Sequence, residues 1–310
     1  MTDFVVGANL PWINYGGDFG ANAWRPAGGV HTRGDELTRA LDRVAQAGVR
    51  QLRWFMLCDG RAGLRFAADG APLGLDEVFF ADVDAAVAAA RERGIAIMFV
   101  LLDFLWCARG RPVNGVLLGG RSDILENPAK RAALLERVLN PIFERYGAQR
   151  QIVAWDVVNE PEWAVKGLGA RRRTPSVSLE TMRAFVRDAV ALIHRQKGQA
   201  ATLGSAAAHW IGAWQALGLD FYQTHWYEHL ERRAPLGRAV RDFGIDRPVL
   251  LGEFPSRLPP HRIRWVLETA RSAGYTGAFV WSVLADDVAT DFASAEAVLS
   301  TPQDSGHSES

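Results

Sequence analysis

Short apolar runs rich in β-branched and aromatic residues alternate along this chain with stretches of helical period, and that alternation limits the possible folds more than any other feature. The runs fall at residues 4–9, 49–57, 95–102, 152–158, 200–205, 219–226, within 247–255 and at 277–281. Each is too short for a buried helix and is bounded as a strand is bounded. Between them lie helical stretches. Residues 35–47 carry Leu37, Leu41 and Val44 on one face and close at Gly48. Residues 80–93 are alanine-rich and end at Gly94, residues 129–147 place Leu135, Val138, Leu139, Ile142 and Phe143 together, and 179–196 and 260–273 follow. Pro141 predicts a kink or break inside 129–147, because its ring displaces the preceding turn and it offers no N–H.

Two of the runs end in a way that strands seldom do. Trp155-Asp156-Val157-Val158-Asn159-Glu160-Pro161 passes from a buried-strand pattern straight into a carboxamide, a carboxylate and a proline. Pro161 cannot continue a central strand and disfavours the helical region for Glu160, so an extended Glu160 at the strand end is expected. Val249-Leu250-Leu251-Gly252-Glu253-Phe254-Pro255 repeats the design. A carboxylate at the end of a buried strand is costly without an ion-pair partner or a chemical task. Two of them supply an acid/base and a nucleophile, the pair that retaining glycoside hydrolysis requires.

These residues resemble the clan A retaining glycoside hydrolases, the cellulase- and mannanase-like barrels close to glycoside hydrolase family 5. The match is local, on Asn159-Glu160-Pro161 at the fourth run and Glu253 at the seventh, but its pieces fall in order along nearly the whole chain. The resemblance implies a single-domain (β/α)8 TIM barrel over 1–300, and the segment 301–310, polar and low in apolar content, reads as a disordered tail. The resemblance also implies Glu160 as acid/base, Glu253 as nucleophile, Asn159 on the sugar 2-hydroxyl, and Arg53, His225 and Tyr227 around the nucleophile. Trp281 matches a sugar-stacking tryptophan, and Trp106 is a second candidate platform. Leu105 stands where many cellulase-like members have histidine, which points away from a cellulase. The implied substrate is a β-linked glucan or mannan; a transglycosylase with the same carboxylate pair and a non-catalytic carbohydrate-binding barrel are the alternatives.

An open doubly wound sheet would also alternate. However, no glycine-rich nucleotide loop follows the first run, and both glutamates sit at strand C-terminal ends, where barrel enzymes carry their chemistry. The loop 10–32 contains Trp12, Tyr15 and Trp24, either as sugar platforms or as local packing under the loop. The glycine-containing loop 107–128 is expected at the rim of a cleft. His225 and His229 have a helical ligand spacing on a segment that reads as a strand end, so no metal site is expected, and no cofactor is needed.

The 310 residues contain 35 basic and 35 acidic side chains, which gives no electrostatic reason to expect nucleic acid or an anionic membrane. No apolar run is long enough to span a bilayer. The N-terminus lacks a signal-peptide pattern, so a cytoplasmic location, or a trimmed secreted or periplasmic one, is expected. Cys58 and Cys107 are expected as reduced thiols rather than as a disulfide. Arg171, Arg172 and Arg173 read as a solvated loop.

Overall fold

The computed structural model describes residues 4–169, 176–196 and 198–300. The arginine run 171–173 and the tail 301–310 lie outside the described residues. The barrel strands are β1 (Val5–Leu10), β2 (Gln51–Phe55), β3 (Ala96–Asp103), β4 (Ile152–Asn159), β5 (Ala200–Ser205), β6 (Tyr222–His225), β7 (Val249–Pro255) and β8 (Gly277–Trp281). They close into a barrel in chain order, each parallel to its neighbours, with β8 pairing back onto β1 through Val5 opposite Gly277 and Ala8 opposite Val280. Parallel neighbours need a crossover, and helices supply most of them on the outside.

The outer helices are α1 (Gly34–Gln46), α2 (Phe79–Glu92), α3 (Pro128–Leu134), α4 (Asn140–Tyr146), α5 (Leu179–Arg195), α6 (Pro260–Ala273) and α7 (Phe292–Leu299). The face of α1 predicted from its period, Leu37, Leu41 and Val44, is buried. The predicted break at Pro141 is present: a π turn, Leu135–Leu139, separates α3 from α4, and Pro141 stands in the first turn of α4. Two crossovers depart from the alternation. The connection after β5 contains a 3-10 segment, Ala208–Trp214, and the longer one after β6 contains Glu228–Leu230 and Val240–Phe243.

The loops after β2 and β3 each carry a small hairpin. One pairs Leu64–Phe66 with Pro72–Leu75, and the other pairs Arg111–Val113 with Val116–Leu118. Asn114 and Gly115 join the second hairpin at φ 45° and 81°, the left-handed pair that lets a two-residue turn follow the strand twist.

Alternation along the strands sorts the barrel interior into layers. Met98, Ala154, Leu250 and Phe279 form an apolar cluster separate from the large outer core. Ala154 and Asp156 share a face of β4, so the layer above the apolar one is polar. Gly7 on β1 admits the Phe279 ring, since a Cβ there would stand 2.5 Å from it. Cys58 and Cys107 are both free and buried, and burial pushes the Cys107 thiol up to about 12. Among the described residues, no helix is long and apolar enough to cross a membrane.

Candidate active site

The polar layer is built around Arg53, which is fully buried in β2. Its guanidinium reaches four side chains from three other strands. Nε and Nη2 donate to Asp156 Oδ2 at 3.0 and 2.8 Å, and Nη2 also donates to Asn159 Oδ1 at 2.7 Å. Nη1 donates to Glu253 Oε1 at 2.7 Å and to Asn9 Oδ1 at 3.0 Å. A buried charge is tolerable only when paired and hydrogen-bonded throughout, and this one is. Asn9 is held in turn by the Gly252 carbonyl at 2.9 Å, and Asn159 donates to Asp103 Oδ2 at 2.8 Å.

Above this layer the two strand-end glutamates face one cleft. Glu160 departs from the extended conformation expected before Pro161: at φ 47° and ψ 46° it is left-handed. Proline's steric demand bars the right-handed region, and the chain turns at once into Pro161–Ala164 with the Glu160 N–H donating to the Gly204 carbonyl at 2.6 Å. A non-glycine residue held there is strained, and such strain collects at functional sites. Oε1 of Glu160 lies 2.8 Å from His225 Nδ1, and Oε2 accepts from Trp163 Nε1 at 2.9 Å. Glu253 Oε2 accepts from the Tyr227 hydroxyl at 2.8 Å and lies 3.4 Å from the same His225 Nδ1.

The electrostatics follow from burial. Loss of water pushes Glu160 up to about 7, against the opposing pull of the Trp163 N–H and the Arg53 charge. Burial also raises Glu253, opposed by His225, Arg53 and the Tyr227 hydroxyl. Burial drives His225 down to about 4, so its imidazole is neutral near pH 7. Asp103 is pushed up to about 7, again by burial first. Glycines make the crowding possible: a Cβ on Gly204 would stand 2.7 Å from Arg53 Nη2, and one on Gly252 would stand 2.7 Å from Gln223 Oε1.

The cleft has a volume of about 460 Å³ and is walled by aromatic and polar side chains, among them Trp12, Phe55, Trp163, Tyr227 and Trp281. Trp12 and Trp281 thus line the cleft, with Trp281 fixed by Nε1 donating to Asp287 Oδ2 at 2.8 Å. Trp106 does not. It is 1% exposed and packs in the core, because the turn after β3 folds its ring inward against Arg121. Trp24 is outside the cleft lining and donates from Nε1 to the Val113 carbonyl at 3.1 Å, tying the first loop to the second hairpin.

Several contributors were not singled out from sequence: Asn9, Asp103, Asp156 and Gln223 in the polar layer, and Trp163 beside Glu160. Asp156 lies inside the quoted strand motif, and its position two residues from Ala154 was the available signal. Glu162, two residues past Glu160, is buried away from the cleft. It accepts from Ser205 Oγ and Trp214 Nε1, both at 2.6 Å, and from the Ala206 N–H at 3.0 Å. The donor set Glu160, His225 and Glu253 brings one ligand-type atom from each within 4.8 Å of the others. The Arg53 guanidinium against Glu253 makes it a poor cation cage.

No protein-family model matches the chain. It is 24% identical to mannan endo-1,4-beta-mannosidase of Mytilus edulis over 90% of its own length and 83% of that protein. The mussel β-mannanase structure superposes with a TM-score of 0.77 at 22% identity, covering 96% of this chain and 91% of that one. The β-1,4-D-mannanase of Cryptopygus antarcticus superposes at 0.79 with 19% identity, covering 96% and 89%. That of Eisenia fetida gives 0.77 at 23% identity, covering 96% and 90%. The similarity to these mannanases therefore extends along nearly the whole chain, which has their fold, a single (β/α)8 barrel.

Proposed function

We propose that the protein hydrolyses β-1,4-mannosidic bonds within a mannan-type polysaccharide, with retention of anomeric configuration. The observation that carries this reading is the approach of Glu160 and Glu253, with oxygens within 4.8 Å of each other and His225 Nδ1 in contact with both. Retaining enzymes keep their carboxyl groups about 5 Å apart, whereas inverting ones leave room for a water between them. The mannanase relatives support mannan as the substrate and internal bonds as the point of attack.

In the first step the Glu253 carboxylate attacks the anomeric carbon while the glycosidic C–O bond breaks. The proton of the Glu160 carboxyl goes to the departing oxygen, and a glycosyl ester on Glu253 results. In the second step Glu160, now a carboxylate, takes a proton from water. The water oxygen attacks the same carbon, the ester bond breaks, and both side chains return to their starting states. Arg53 and Tyr227 hold Glu253 ionised and aimed. Asn159, fixed by Arg53 and Asp103, presents its amide toward the sugar 2-hydroxyl, and Trp281 and Trp12 offer apolar faces to the pyranose rings.

The test is product formation from β-mannan, β-glucan and aryl β-glycosides, followed by mass spectrometry and anomeric NMR, with Glu160→Gln and Glu253→Gln beside the wild type. Internal cleavage of mannan with the β-anomer formed first, lost in both variants, is expected. Cleavage untouched by Glu253→Gln, or first release of the α-anomer, would overturn the reading.

A further inference from the structure

The indole of Trp163 touches Glu160 on the side opposite His225. Its Nε1 lies 2.9 Å from Oε2, while His225 Nδ1 lies 2.8 Å from Oε1, so each carboxyl oxygen has its own fixed neighbour. Trp163 is carried by the short turn Pro161–Ala164 that directly follows Glu160, and its ring lines the cleft. Trp210, from the segment after β5, meets that ring edge to face with centroids 5.3 Å apart, and the His209 ring lies 4.2 Å from Trp210. An indole N–H is a donor only. Oε2 is therefore always an acceptor toward Trp163, and the contact fixes the carboxyl plane as well as its position.

We propose that Trp163 is a positioning residue for the acid/base, orienting the Glu160 carboxyl through its indole N–H while Trp210 holds the indole in place. The proposal rests on the reading of Glu160 as acid/base. The contact also favours the ionised carboxyl over the neutral one and so works against burial. Other groups face Glu160 too: His225 from β6, Glu253 from β7, Arg53 from β2, Asp103 from β3 and Tyr227 just past β6. Trp163 differs from all of them in having no titratable group and in lying in the turn that Glu160 opens.

The experiment is Trp163→Phe, which keeps an aromatic ring and removes the N–H. Expected are a fall in kcat of about tenfold on substrates with poor leaving groups, a nearly unchanged KM, and an alkaline limb of kcat/KM displaced to higher pH. An aryl mannoside with a dinitrophenolate leaving group, which needs little protonation, should lose less. An even loss across pH and leaving groups would overturn the proposal. Glu160→Ala with added azide separates the two ideas. Azide rescue giving a β-glycosyl azide, together with an unmoved alkaline limb in Trp163→Phe, removes this proposal alone. Absence of rescue removes the acid/base reading and this proposal with it. Should Trp163→Phe not fold by circular dichroism, Trp210→Ala carries the test, with a smaller displacement of the limb in the same direction expected and none overturning it.

Discussion

Nη1 of Arg53 stands 2.7 Å from Oε1 of Glu253, both side chains essentially without solvent, and the other nitrogens of the same guanidinium close on Asp156 at 2.8–3.0 Å. One buried cation thus offsets two buried carboxylates, Glu253 lining the cleft and Asp156 making structural contacts. The fork geometry of arginine matters, because an ammonium cannot reach both acids and the two asparagine oxygens together.

Arg53→Met should leave Asp156 and Glu253 buried without their cation. Removing one partner of a buried pair costs ~3–5 kcal/mol, to be read as a lowered midpoint in urea denaturation. Arg53→Lys should recover part of the stability and little of the activity. A variant as stable as wild type would show that the charges are solvated in a way the geometry does not suggest.

The proposed mechanism requires Glu160 protonated and Glu253 ionised. With Glu160 pushed to about 7, kcat/KM should fall as pH rises through about 7, and the acid limb should lie above the ordinary glutamate value of 4.5. The two limbs belong to the coupled pair rather than to either residue. Tyr227→Phe removes a hydrogen bond that favours ionised Glu253, so the acid limb should move to higher pH and the bell should narrow. The same variant should lose about tenfold or more in kcat, since a hydrogen bond to a charged group contributes ~1.5–3 kcal/mol. A pH-rate profile of both proteins checks the sign.

Glu160 and Glu162 should separate chemistry from stability although they are two residues apart. Glu160→Gln should abolish turnover and leave the urea midpoint close to wild type. Glu162→Ala strands the Trp214 indole N–H and the Ala206 amide and leaves the Ser205 hydroxyl only the Ala207 carbonyl at 3.2 Å. With ~1–3 kcal/mol for each buried donor left unmet, it should cost several kcal/mol of folding stability. Equal destabilisation by the two variants would contradict the different roles assigned here.

Gly204→Ala inserts a methyl group 2.7 Å from Arg53 Nη2, 3.1 Å from Asp156 Oδ2 and 3.1 Å from His225 Nε2. The guanidinium must move to admit it, and overpacking of this kind costs ~1–3 kcal/mol. Misplacement of the proposed nucleophile's support should lower kcat by about a hundredfold, a larger effect than a methyl group has in an apolar core. Steady-state kinetics beside thermal unfolding would show both.

Much of the site was legible because strand ends announce themselves. Glu160 and Glu253 each follow an apolar run and precede a proline, and Arg53 is a cation inside such a run, so each demands a partner or a task. The aromatic candidates were less legible. Trp281 and Trp12 line the cleft, yet Trp106 is buried and Trp24 braces a hairpin, since a tryptophan in a loop can turn either way and local spacing does not choose. Trp163 and Glu162 are equally mute in sequence, because the turn after Glu160 directs one into the cleft and the other into the core.

By itself the sequence determined the period of each element, the strand ends and hence the parallel barrel, because those depend on spacing within a few consecutive residues. Only the closed tertiary structure decided who meets whom. Arg53 finds Asp156 across 103 positions and Glu253 across 200, and Asn9 reaches Gly252 across 243. Those pairings follow from barrel closure, which stacks inward-facing residues of separate strands into shared layers, and no local pattern carries that information.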